Sequence, residues 1–336
     1  MKINTQELKT ALETVRSGLA SKEIIEQSTS FAFLNGSVVT YNDEISITHP
    51  VEGLEIEGAI QATELYQFIS KITKEEIDIE INESEICLKS GRSKAWLTLK
   101  EAITLPLDSI GTRGKWKTLP EGFCKAVKFA AASCSKNFSL SNLTGVHVSE
   151  NIIEGSDSFR ITRCILEEPV LVKQFIIPAS SALEVIKLNP IKISEGEGWI
   201  HFLTDQKTVI SCRILQDKEY PNTEPFLKGK GEKIAFPSRI LDIIDQATPF
   251  TKRDHVLDED IEIIIADEKI VVKAQSDAGR FEGNTKIDYQ GEPIQFSIIP
   301  YLLKDILNET LDCIICKDKL KFKGDNWVYV TILKSK

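Results

Sequence analysis

The stretch that decides the fold spans residues 175–215 and reads FIIPASSALEVIKLNPIKISEGEGWIHFLTDQKTVISCRIL. Its apolar spacing predicts a short strand, a helix that contains Leu183 and Ile186, and three further strands. Ser180 or Ser181 is predicted to cap the helix, because serine oxygens accept hydrogen bonds from the first free backbone N–H groups. The stretch therefore predicts one β-α-β-β-β unit.

The same order of elements recurs along the chain, most clearly at residues 56–99 and 294–333. Apolar helix markers repeat about every 115 to 120 residues, too long for a solenoid repeat and suited to a whole domain. The markers are Leu8, Phe123 and Ile240 for the first helices and Leu65, Leu183 and Leu303 for the second helices. We predict an α+β fold of three tandem domains, residues 1–108, 115–218 and 230–336, each with two such units and mostly antiparallel sheet.

Composition places the chain among ordinary globular proteins. Its 336 residues are 42% hydrophobic and 27% charged, and no stretch approaches an apolar membrane span. The polar start is unlike a signal peptide, so we expect a cytoplasmic protein. The net charge of −9 argues only weakly against nucleic-acid binding, because it does not describe how charge is distributed.

No motif for catalysis, for a metal or for a cofactor is found in the sequence. Most of the seven cysteines lie in apolar stretches, and the pair Cys313 and Cys316 would point to opposite faces of a strand. None of the four histidines lies in a zinc-binding pattern, and the acidic run at residues 258–260 is interpreted as a solvated loop. We therefore expect a protein that is not an enzyme and that has no metal and no cofactor.

Basic residues in and just after the predicted helices suggest a function. On six helices that share one face, they would form a weak positive field for a phosphate backbone, without reading base sequence. An ordinary solvated helix face is the alternative. The residues predicted to face DNA are Lys9, Arg16, Lys71, Lys125, Lys128, Lys136, Lys187, Arg239, Lys252, Arg253 and Lys304.

Several short segments, taken in order, resemble the bacterial DNA sliding clamp, the beta subunit of DNA polymerase III. The resemblance is diffuse but spans essentially the whole chain. The segments are SGRSK at residues 90–94, LTGV at 143–146, SDSFRI at 156–161, DKEYP at 217–221 and YVTIL at 329–333.

The resemblance implies a head-to-tail homodimer that forms a ring around double-stranded DNA, with helices on the inner face and sheets outside. Such a ring slides without reading sequence, tethers the replicative polymerase as a processivity factor, and is opened by a clamp loader ATPase. A grip of this kind is topological, so a mildly attractive inner surface suffices despite the net charge.

The resemblance also implies a pocket for partner peptides between the second and third domains. Carried over by position, the pocket residues are Leu143, Ser156, Ser158, Phe159, Arg160, Ile161, Pro221, Pro225, Phe226, Val330, Thr331, Ile332 and Leu333. The family usually has Gly and His where this chain has Ser158 and Phe159, and it ends in a different motif. These departures predict a divergent clamp, and a phage- or plasmid-encoded clamp with its own polymerase is one hypothesis. Core packing is the alternative role for the same residues.

The dimer contact is expected to join an edge strand of one chain to the third domain of the other. The residues assigned to it are Ala95 and Leu97 on one side and Pro249 and Phe250 on the other. Edge strands favour such pairing because their backbone groups are unpaired.

Other functions remain open from the sequence. A tandem-repeat interaction scaffold would share the fold but form no ring around DNA. A repair or recombination enzyme would need converging titratable groups, and the sequence offers no such motif. Three visible repeats disfavour a trimeric clamp of two-domain chains.

Overall fold

The computed structural model describes residues 1–82, 84–111, 114–216 and 219–334. Asp217 and Lys218, of the segment DKEYP, lie outside this described part. The described elements follow one order six times, β-α-β-β-β, with one additional short helix before the fifth copy. This order confirms the predicted mixed α+β class.

The first pair of copies comprises β1 Lys2–Asn4, α1 Thr5–Val15, β2 Ser30–Leu34, β3 Ser37–Tyr41, β4 Ile45–Pro50, β5 Gly58–Gln61, α2 Ala62–Ser70, β6 Glu76–Asn82, β7 Glu85–Ser90 and β8 Ser93–Thr98. The second pair comprises β9 Lys117–Thr118, α3 Phe123–Ala131, β10 Gly145–Ser149, β11 Ile152–Ser156, β12 Arg160–Ile165, β13 Phe175–Pro178, α4 Ala179–Lys187, β14 Lys192–Glu195, β15 Trp199–Leu203 and β16 Val209–Arg213. The third pair, after α5 Glu224–Leu227, comprises β17 Glu232–Ala235, α6 Ile240–Ala247, β18 Ile261–Ala266, β19 Lys269–Ser276, β20 Gly279–Lys286, β21 Ile294–Ile298, α7 Pro300–Leu307, β22 Asp312–Ile315, β23 Lys319–Lys323 and β24 Trp327–Ile332.

The described chain forms two compact units. The first unit contains Met1–Lys128, His147–Glu150 and Glu167–Lys218, and the second contains Phe129–Val146, Asn151–Leu166 and Glu219–Lys336. These units do not correspond one to one with the three predicted domains, and the three-domain division stays a prediction.

Within each pair of copies, the first strands are exchanged. β1 pairs with β6 of the second copy rather than with its own following strands, while β5 pairs with β2 of the first copy. The same exchange joins β9 to β14, β17 to β22 and β21 to β18. Each copy therefore completes the sheet of its neighbour.

Last strands of different pairs also join, and they do so twice within the described chain. In the first unit, β4 pairs with β16, which gives an eight-stranded sheet in the order β5-β2-β3-β4-β16-β15-β14-β9. In the second unit, β12 pairs with β24, and the strands run in the order β11-β12-β24-β23-β22-β17. Two further sheets have four strands each, in the orders β1-β6-β7-β8 and β20-β19-β18-β21.

The helices bury one apolar face each, as their spacing predicts. Leu8, Leu12 and Val15 of α1 are buried, and α1 packs on β3 and β4. In the second unit, α6 and α7 enclose a core rich in isoleucine and leucine, and α6 lies on β19 and β20. No helix in the described part of the chain is both long and apolar enough to cross a membrane.

The predicted serine cap of α4 is wrong. The helix begins directly after β13, and its N-cap residue is Pro178, with no side-chain hydrogen bond. Ser181 is instead buried within the first turn, and Ser180 lies 3.4 Å from a carboxylate oxygen of Glu44. The strand leads straight into the helix, so no separate capping residue is interposed.

Candidate functional site

The segment Ser156–Arg160 is a tight turn between β11 and β12. The Asp157 Oδ1 oxygen accepts hydrogen bonds from the backbone N–H groups of Phe159 and Arg160, both at 3.0 Å. The Ser156 hydroxyl donates to the carbonyl of Arg160 at 2.8 Å. Ser158 has a φ of +76°, a left-handed conformation that a glycine would adopt with less strain. The turn is thus fixed by its own short polar side chains.

Arg160 is buried and holds this turn against the rest of the second unit. Its guanidinium donates to Asp157 Oδ2 at 3.0 Å, to Asp305 Oδ2 at 2.6 Å and to the carbonyl of Ala132 at 2.7 Å. It also lies over the ring of Tyr301, with Cζ 5.2 Å from the ring centre. Burial raises the pKa of the Asp157 carboxyl, and the neighbouring Arg160 opposes that rise. Arg160 is therefore committed to the fold at this position.

A second polar network fixes the start of α5. Glu154, on β11, accepts a hydrogen bond from Arg163 Nε at 2.6 Å and one from the Thr223 hydroxyl at 2.6 Å. The other guanidinium nitrogens of Arg163 donate to Glu224 at 2.5 Å and to the Thr223 oxygen at 2.8 Å. These ion pairs and hydrogen bonds attach Thr223 and Glu224, at the beginning of α5, to β11 and β12.

Two lysines fix the other end of the same helix. Lys319 Nζ donates to the carbonyl of Phe226 at 3.1 Å, and Lys321 Nζ donates to the carbonyl of Leu227. Burial lowers the pKa of Lys321. The last carbonyls of a helix have no hydrogen-bond donor within the helix. At the end of α5 the two lysines supply these donors, which would otherwise be water molecules. α5 is therefore attached to β23 as well as to β11 and β12.

The pairing of β12 with β24 separates the predicted pocket residues by face. Ile161 lies opposite Val330, and strand alternation places Ile332 on the same face as Val330. Arg163, which binds the residue before α5, is also on this face, so this face is the one that α5 covers. Phe226 and Ile332 leave 57% and 43% of their surfaces exposed. Together with Pro225, they give this side of the sheet an open apolar surface. We call Ile161, Pro225, Phe226, Val330 and Ile332 the apolar surface.

The other predicted pocket residues have different surroundings. Arg160 lies opposite Thr331 on the opposite face of the sheet, and Phe159 and Leu333 pack against the core of the second unit. Leu143 and Ser156 are buried, and their carbonyls both accept a hydrogen bond from the N–H of Ser135. Ser158 and Pro221 are exposed. All thirteen lie within the second unit, where paired strands, shared hydrogen bonds and core contacts link most of them.

The residues that fix α5 are not apparent from the sequence. Glu154, Arg163, Thr223, Lys319 and Lys321 act through contacts between segments far apart in the chain, so no local pattern shows them. One signal was present: Thr223, Glu224 and Pro225 are residues typical of a helix start, with proline in the first turn. These residues lie between the predicted second and third domains, so no element is predicted there.

The basic residues predicted to face DNA lie in or beside the helices, as the spacing indicated. Lys125 and Lys128 are exposed on α3, and Lys136, Arg239 and Lys71 are exposed near helix ends. Other members have partners: Lys187 pairs with Glu184, Lys252 with Glu259, Lys304 with Asp245, and Arg16 lies over the ring of Tyr66. Lys9 is half-buried on α1, and Arg253 donates to the carbonyls of Lys252 and Gln275. No ion pair involves Lys125 or Lys128 in the described part of the chain.

The residues predicted for the dimer contact lie on or beside two outer strands. Ala95 and Leu97 are half-buried on β8. Phe250 stacks on Phe281 of β20, with ring centres 5.9 Å apart, and Pro249 beside it is exposed. The predicted contact residues therefore belong to the two sheets that have four strands.

Cysteines and acids show no sign of chemistry in the described residues. All seven cysteines are free thiols, and burial raises the pKa of Cys134 to about 12. Glu259, in the acidic run, is buried and paired with Lys252 at 3.0 Å. No group of three histidine, cysteine or acidic side chains is placed to hold a metal ion within residues 1–82, 84–111, 114–216 and 219–334.

Comparison with known proteins gives weak sequence similarity and strong structural similarity. No protein-family model matches the sequence. The beta sliding clamp of Pseudomonas putida is 21% identical over 281 residues, which cover 78% of this chain and 74% of that protein. The DNA polymerase III subunit beta of Pseudomonas aeruginosa superposes with a TM-score of 0.87 at 16% identity, over 100% of both chains.

Further solved structures agree. The DNA polymerase III beta chain of Streptococcus pneumoniae superposes with a TM-score of 0.86 at 19% identity, over 100% of this chain and 99% of that one. The beta subunit of Thermotoga maritima gives a TM-score of 0.82 at 15% identity, with the same coverage. The six-copy order, the exchanged first strands and these superpositions lead to one conclusion: the chain has the sliding-clamp fold of bacterial DNA polymerase III beta subunits.

Proposed function

We propose that this chain is a DNA sliding clamp, a homodimeric ring that encircles duplex DNA and tethers a replicative polymerase. The observation that carries the proposal is the fold, which matches beta subunits of DNA polymerase III over the entire chain. The weakly similar curated protein is itself named a beta sliding clamp. The role needs no catalytic step, and we propose the cytoplasm as its compartment.

The distribution of basic residues supports the DNA part of the proposal. Lys125 and Lys128 are exposed on one helix, and their charges are not neutralised by a described ion pair. Most of the other predicted DNA-facing residues also lie on or beside helices. Contacts of this kind hold a phosphate backbone without selecting a base sequence, which suits a protein that slides.

The decisive measurement compares retention on nicked circular DNA with retention on the same DNA after linearisation. A ring loaded on the circle should stay through gel filtration and should run off once an end is available. Because clamps of this fold are opened by a loader ATPase, the assay needs the loader of the same host. Equal loss from both DNAs would favour the scaffold function without encirclement.

Charge reversal on α3 tests whether the basic residues face DNA. Lys125→Glu with Lys128→Glu should reduce loading on circular DNA by about tenfold or more, because two attractive contacts become repulsive. Lys2→Glu with Lys317→Glu changes the net charge equally at exposed positions outside the helices and should load normally. Equal loading by both variants would remove α3 from the DNA-facing set.

We also propose that the apolar surface beside α5 receives short peptides of the polymerase and of the clamp loader. Phe226 and Ile332 are large, exposed and held on a rigid base, which is typical of a site for Leu and Phe anchors. The exposed Ser158 and Pro221 would border the site. Leu143, Ser156, Phe159, Arg160, Thr331 and Leu333 lie in the core or on the other face of the sheet and would support the site from there. The fixed ends of α5 keep this surface in place without a bound peptide.

Peptide binding can be measured by fluorescence anisotropy with a labelled clamp-binding peptide of the polymerase that this clamp serves as the probe. Phe226→Ala and Ile332→Ala should each weaken binding by about tenfold, because each removes an anchor contact. Leu171→Ala removes a similarly exposed apolar side chain of the first unit and should have no effect. If neither surface variant changes the affinity, the site lies elsewhere.

A second probe, a peptide with the common bacterial clamp-binding motif, tests whether the clamp is divergent. Ser158 and Phe159 stand where related clamps usually have Gly and His, so the common motif should bind the wild-type protein poorly. We propose a phage- or plasmid-encoded clamp with its own polymerase as the source of that divergence. Ordinary affinity for the common motif would count against this part of the proposal.

The ring requires contact between two chains, which we assign to the region of Ala95 and Leu97 and to that of Pro249 and Phe250. Leu97→Arg introduces a charge at a half-buried position, and Phe250→Ala removes the ring that stacks on Phe281. Each should convert the dimer to a monomer of half the mass by light scattering. An unchanged mass in both variants would contradict this assignment. The three domains, each with two copies, are proposed as the building blocks of the ring.

A further inference from the structure

The last strands of the six copies follow one pairing rule. β16 ends the second pair of copies and joins β4, which ends the first copy of the first pair. β24 ends the third pair and joins β12, which ends the first copy of the second pair. The two last strands left over are β8 and β20, which lie at the ends of the two four-stranded sheets. By the same rule, β8 would join β20 of the preceding molecule.

The burial of side chains shows that both strands lack a neighbour. Where last strands are paired, their helix-facing side chains are covered: Ile47, Thr162 and Ile210 are 0% exposed, and Tyr329 is 1% exposed. On β20, by contrast, Gly279, Phe281, Gly283 and Thr285 all remain half-buried, as do Ala95 and Leu97 on β8. A strand paired with each edge would bury these half-exposed side chains.

The hairpins give the register of the missing pairing. Two-residue loops precede β8, β12, β20 and β24, so the strands can be aligned from their first residues. This alignment places Gly279 at the position of Arg160 and Ala95 at that of Tyr329. In the described pair, Thr162 lies opposite Tyr329 and Ile161 lies opposite Val330. Transferred to the free edges, the same register sets Phe281 opposite Ala95 and Arg280 opposite Trp96.

We propose that a second copy of this chain binds along β8 through its β20, antiparallel and in this register, with Trp96–Arg280 and Lys94–Glu282 as its specificity pairs. The inference rests on the proposed ring and specifies how its interface selects the correct partner and alignment. Each pair joins one residue of one chain to one of the second chain, and a closed dimer contains two such interfaces.

The chemistry of the paired residues supports this register. Trp96 is 57% exposed on the outward face of its sheet, where an isolated large aromatic ring is otherwise unexplained. Opposite Arg280, its face would receive a cation. The chain already contains such a pair: Trp199 lies opposite Arg213 on β15 and β16, with the guanidinium carbon 4.8 Å from the ring centre.

The neighbouring positions are also complementary. Lys94 and Glu282 carry opposite charges on the same outward face, and both are exposed. On the inward face, the large ring of Phe281 meets the small Ala95, and Gly279 meets Leu97. A slip of two residues would place Lys94 opposite Arg280 and bring like charges together, which disfavours that alignment. The edges therefore select their own copy in one alignment.

Disulfide crosslinking tests the register. Lys94→Cys with Glu282→Cys should form covalent dimers rapidly under an added oxidant, because opposite residues in a ladder lie about 4.5 to 5.5 Å apart. The shifted pair, Lys94→Cys with Arg280→Cys, should crosslink at least about tenfold more slowly, since diagonal positions lie about 7 to 8 Å apart. Wild-type protein, with its seven buried or half-buried cysteines, provides the background.

Charge exchange tests the role of the pairs in selection. Lys94→Glu or Glu282→Lys should each raise the dimer dissociation constant by about three- to thirtyfold, because each ring contains two interfaces with opposed like charges. The double variant should return to within about twofold of wild type. Lys2→Glu, on the outward face of the same sheet, should leave the dissociation constant unchanged.

Three results would separate the inference from the proposed function. Fast crosslinking of the first pair with recovery in the double charge variant supports the register. A stable dimer that crosslinks only through the shifted pair overturns the register while leaving the ring intact. A protein that stays monomeric at every concentration overturns both the ring and the inference.

Discussion

His201 is fully buried on β15, and its Nδ1 lies 2.8 Å from the Ser211 hydroxyl. Burial lowers its pKa from an ordinary value of 6.5 to about 4, although the nearby backbone of Gly111 opposes the change. Between these two pH values the unfolded chain binds the proton more tightly, so acidification favours unfolding. Stability from this group is complete above about pH 6.5 and is lost as the pH falls towards 4.

We therefore expect this histidine to lower the free energy of unfolding by about 2 kcal/mol at pH 5 relative to pH 8. Urea unfolding at the two pH values should show a smaller pH dependence in His201→Gln than in wild type. His255→Gln changes an exposed histidine and should keep the full dependence. Equal pH dependence in His201→Gln and wild type would contradict the assignment.

Arg160 gives a second prediction at the scale of a residue. Arg160→Ala should lower the free energy of unfolding of the second unit by about 3 to 5 kcal/mol, since it leaves the Asp157 carboxylate buried without its cation. Lys2→Ala breaks an ion pair with Glu76 in which both side chains are exposed, and it should cost about 1 kcal/mol or less. Similar losses in urea unfolding for the two variants would show that burial is not decisive.

At this scale, the sequence predicts the positions of some residues on their strands but not the partners of their side chains. Strand alternation, which the sequence displays, places Val330 and Ile332 on one face of β24, but the pairing that brings Ile161 beside them is not visible in the sequence. The resemblance could select Arg160 as a pocket residue, but it could not show that its donors are directed to Asp157, Asp305 and Ala132. Such partners depend on which distant segments meet, and a local pattern carries no information about that.

At the scale of elements, α5 is the part of the site with the least structure of its own. It is four residues long, too short to be stable alone, and depends on its contacts with β11, β12 and β23. Thr223→Val removes the hydroxyl that links Glu154 and Arg163. We expect the amides of α5 to exchange with solvent about five- to thirtyfold faster in this variant.

The control for that experiment is Thr14→Val, which removes an exposed hydroxyl of α1 bonded only to the carbonyl of Thr10. Hydrogen exchange in α5 should be unchanged by it. Peptide affinity should fall in Thr223→Val although the side chain lies outside the apolar surface, because the surface loses its support. Unchanged exchange in Thr223→Val would mean that the lysines of β23 suffice.

The elements themselves were largely predictable. Apolar spacing located the helices, including those containing Leu8 and Ile240, and alternation located most strands. Exchange of first strands between copies was not predictable, because β1 would satisfy its alternation equally well beside β2 or β6. α5 is not predicted because it lies between two predicted domains, in a polar stretch with two prolines.

For the whole molecule, the proposed topological grip makes a prediction about salt. Raising salt from 50 to 200 mM weakens an ordinary phosphate-binding protein by about a thousandfold or more when it makes six or more contacts. A closed ring on circular DNA should be retained almost unchanged over this range, because leaving requires opening. Salt-dependent loss from the closed circle, measured by gel filtration, would indicate ionic binding alone.

The exchange of first strands also constrains how the protein is made. During translation, β1 is made before β6, and Ile77, the partner of Ile3, follows much later in the chain. The amino-terminal strand must wait, unpaired, until the ribosome has completed α2 and β6. Contacts so distant in sequence slow folding. We therefore expect the two copies of a pair to fold together after both have been made, and a nascent chain arrested within a pair to display an open strand edge.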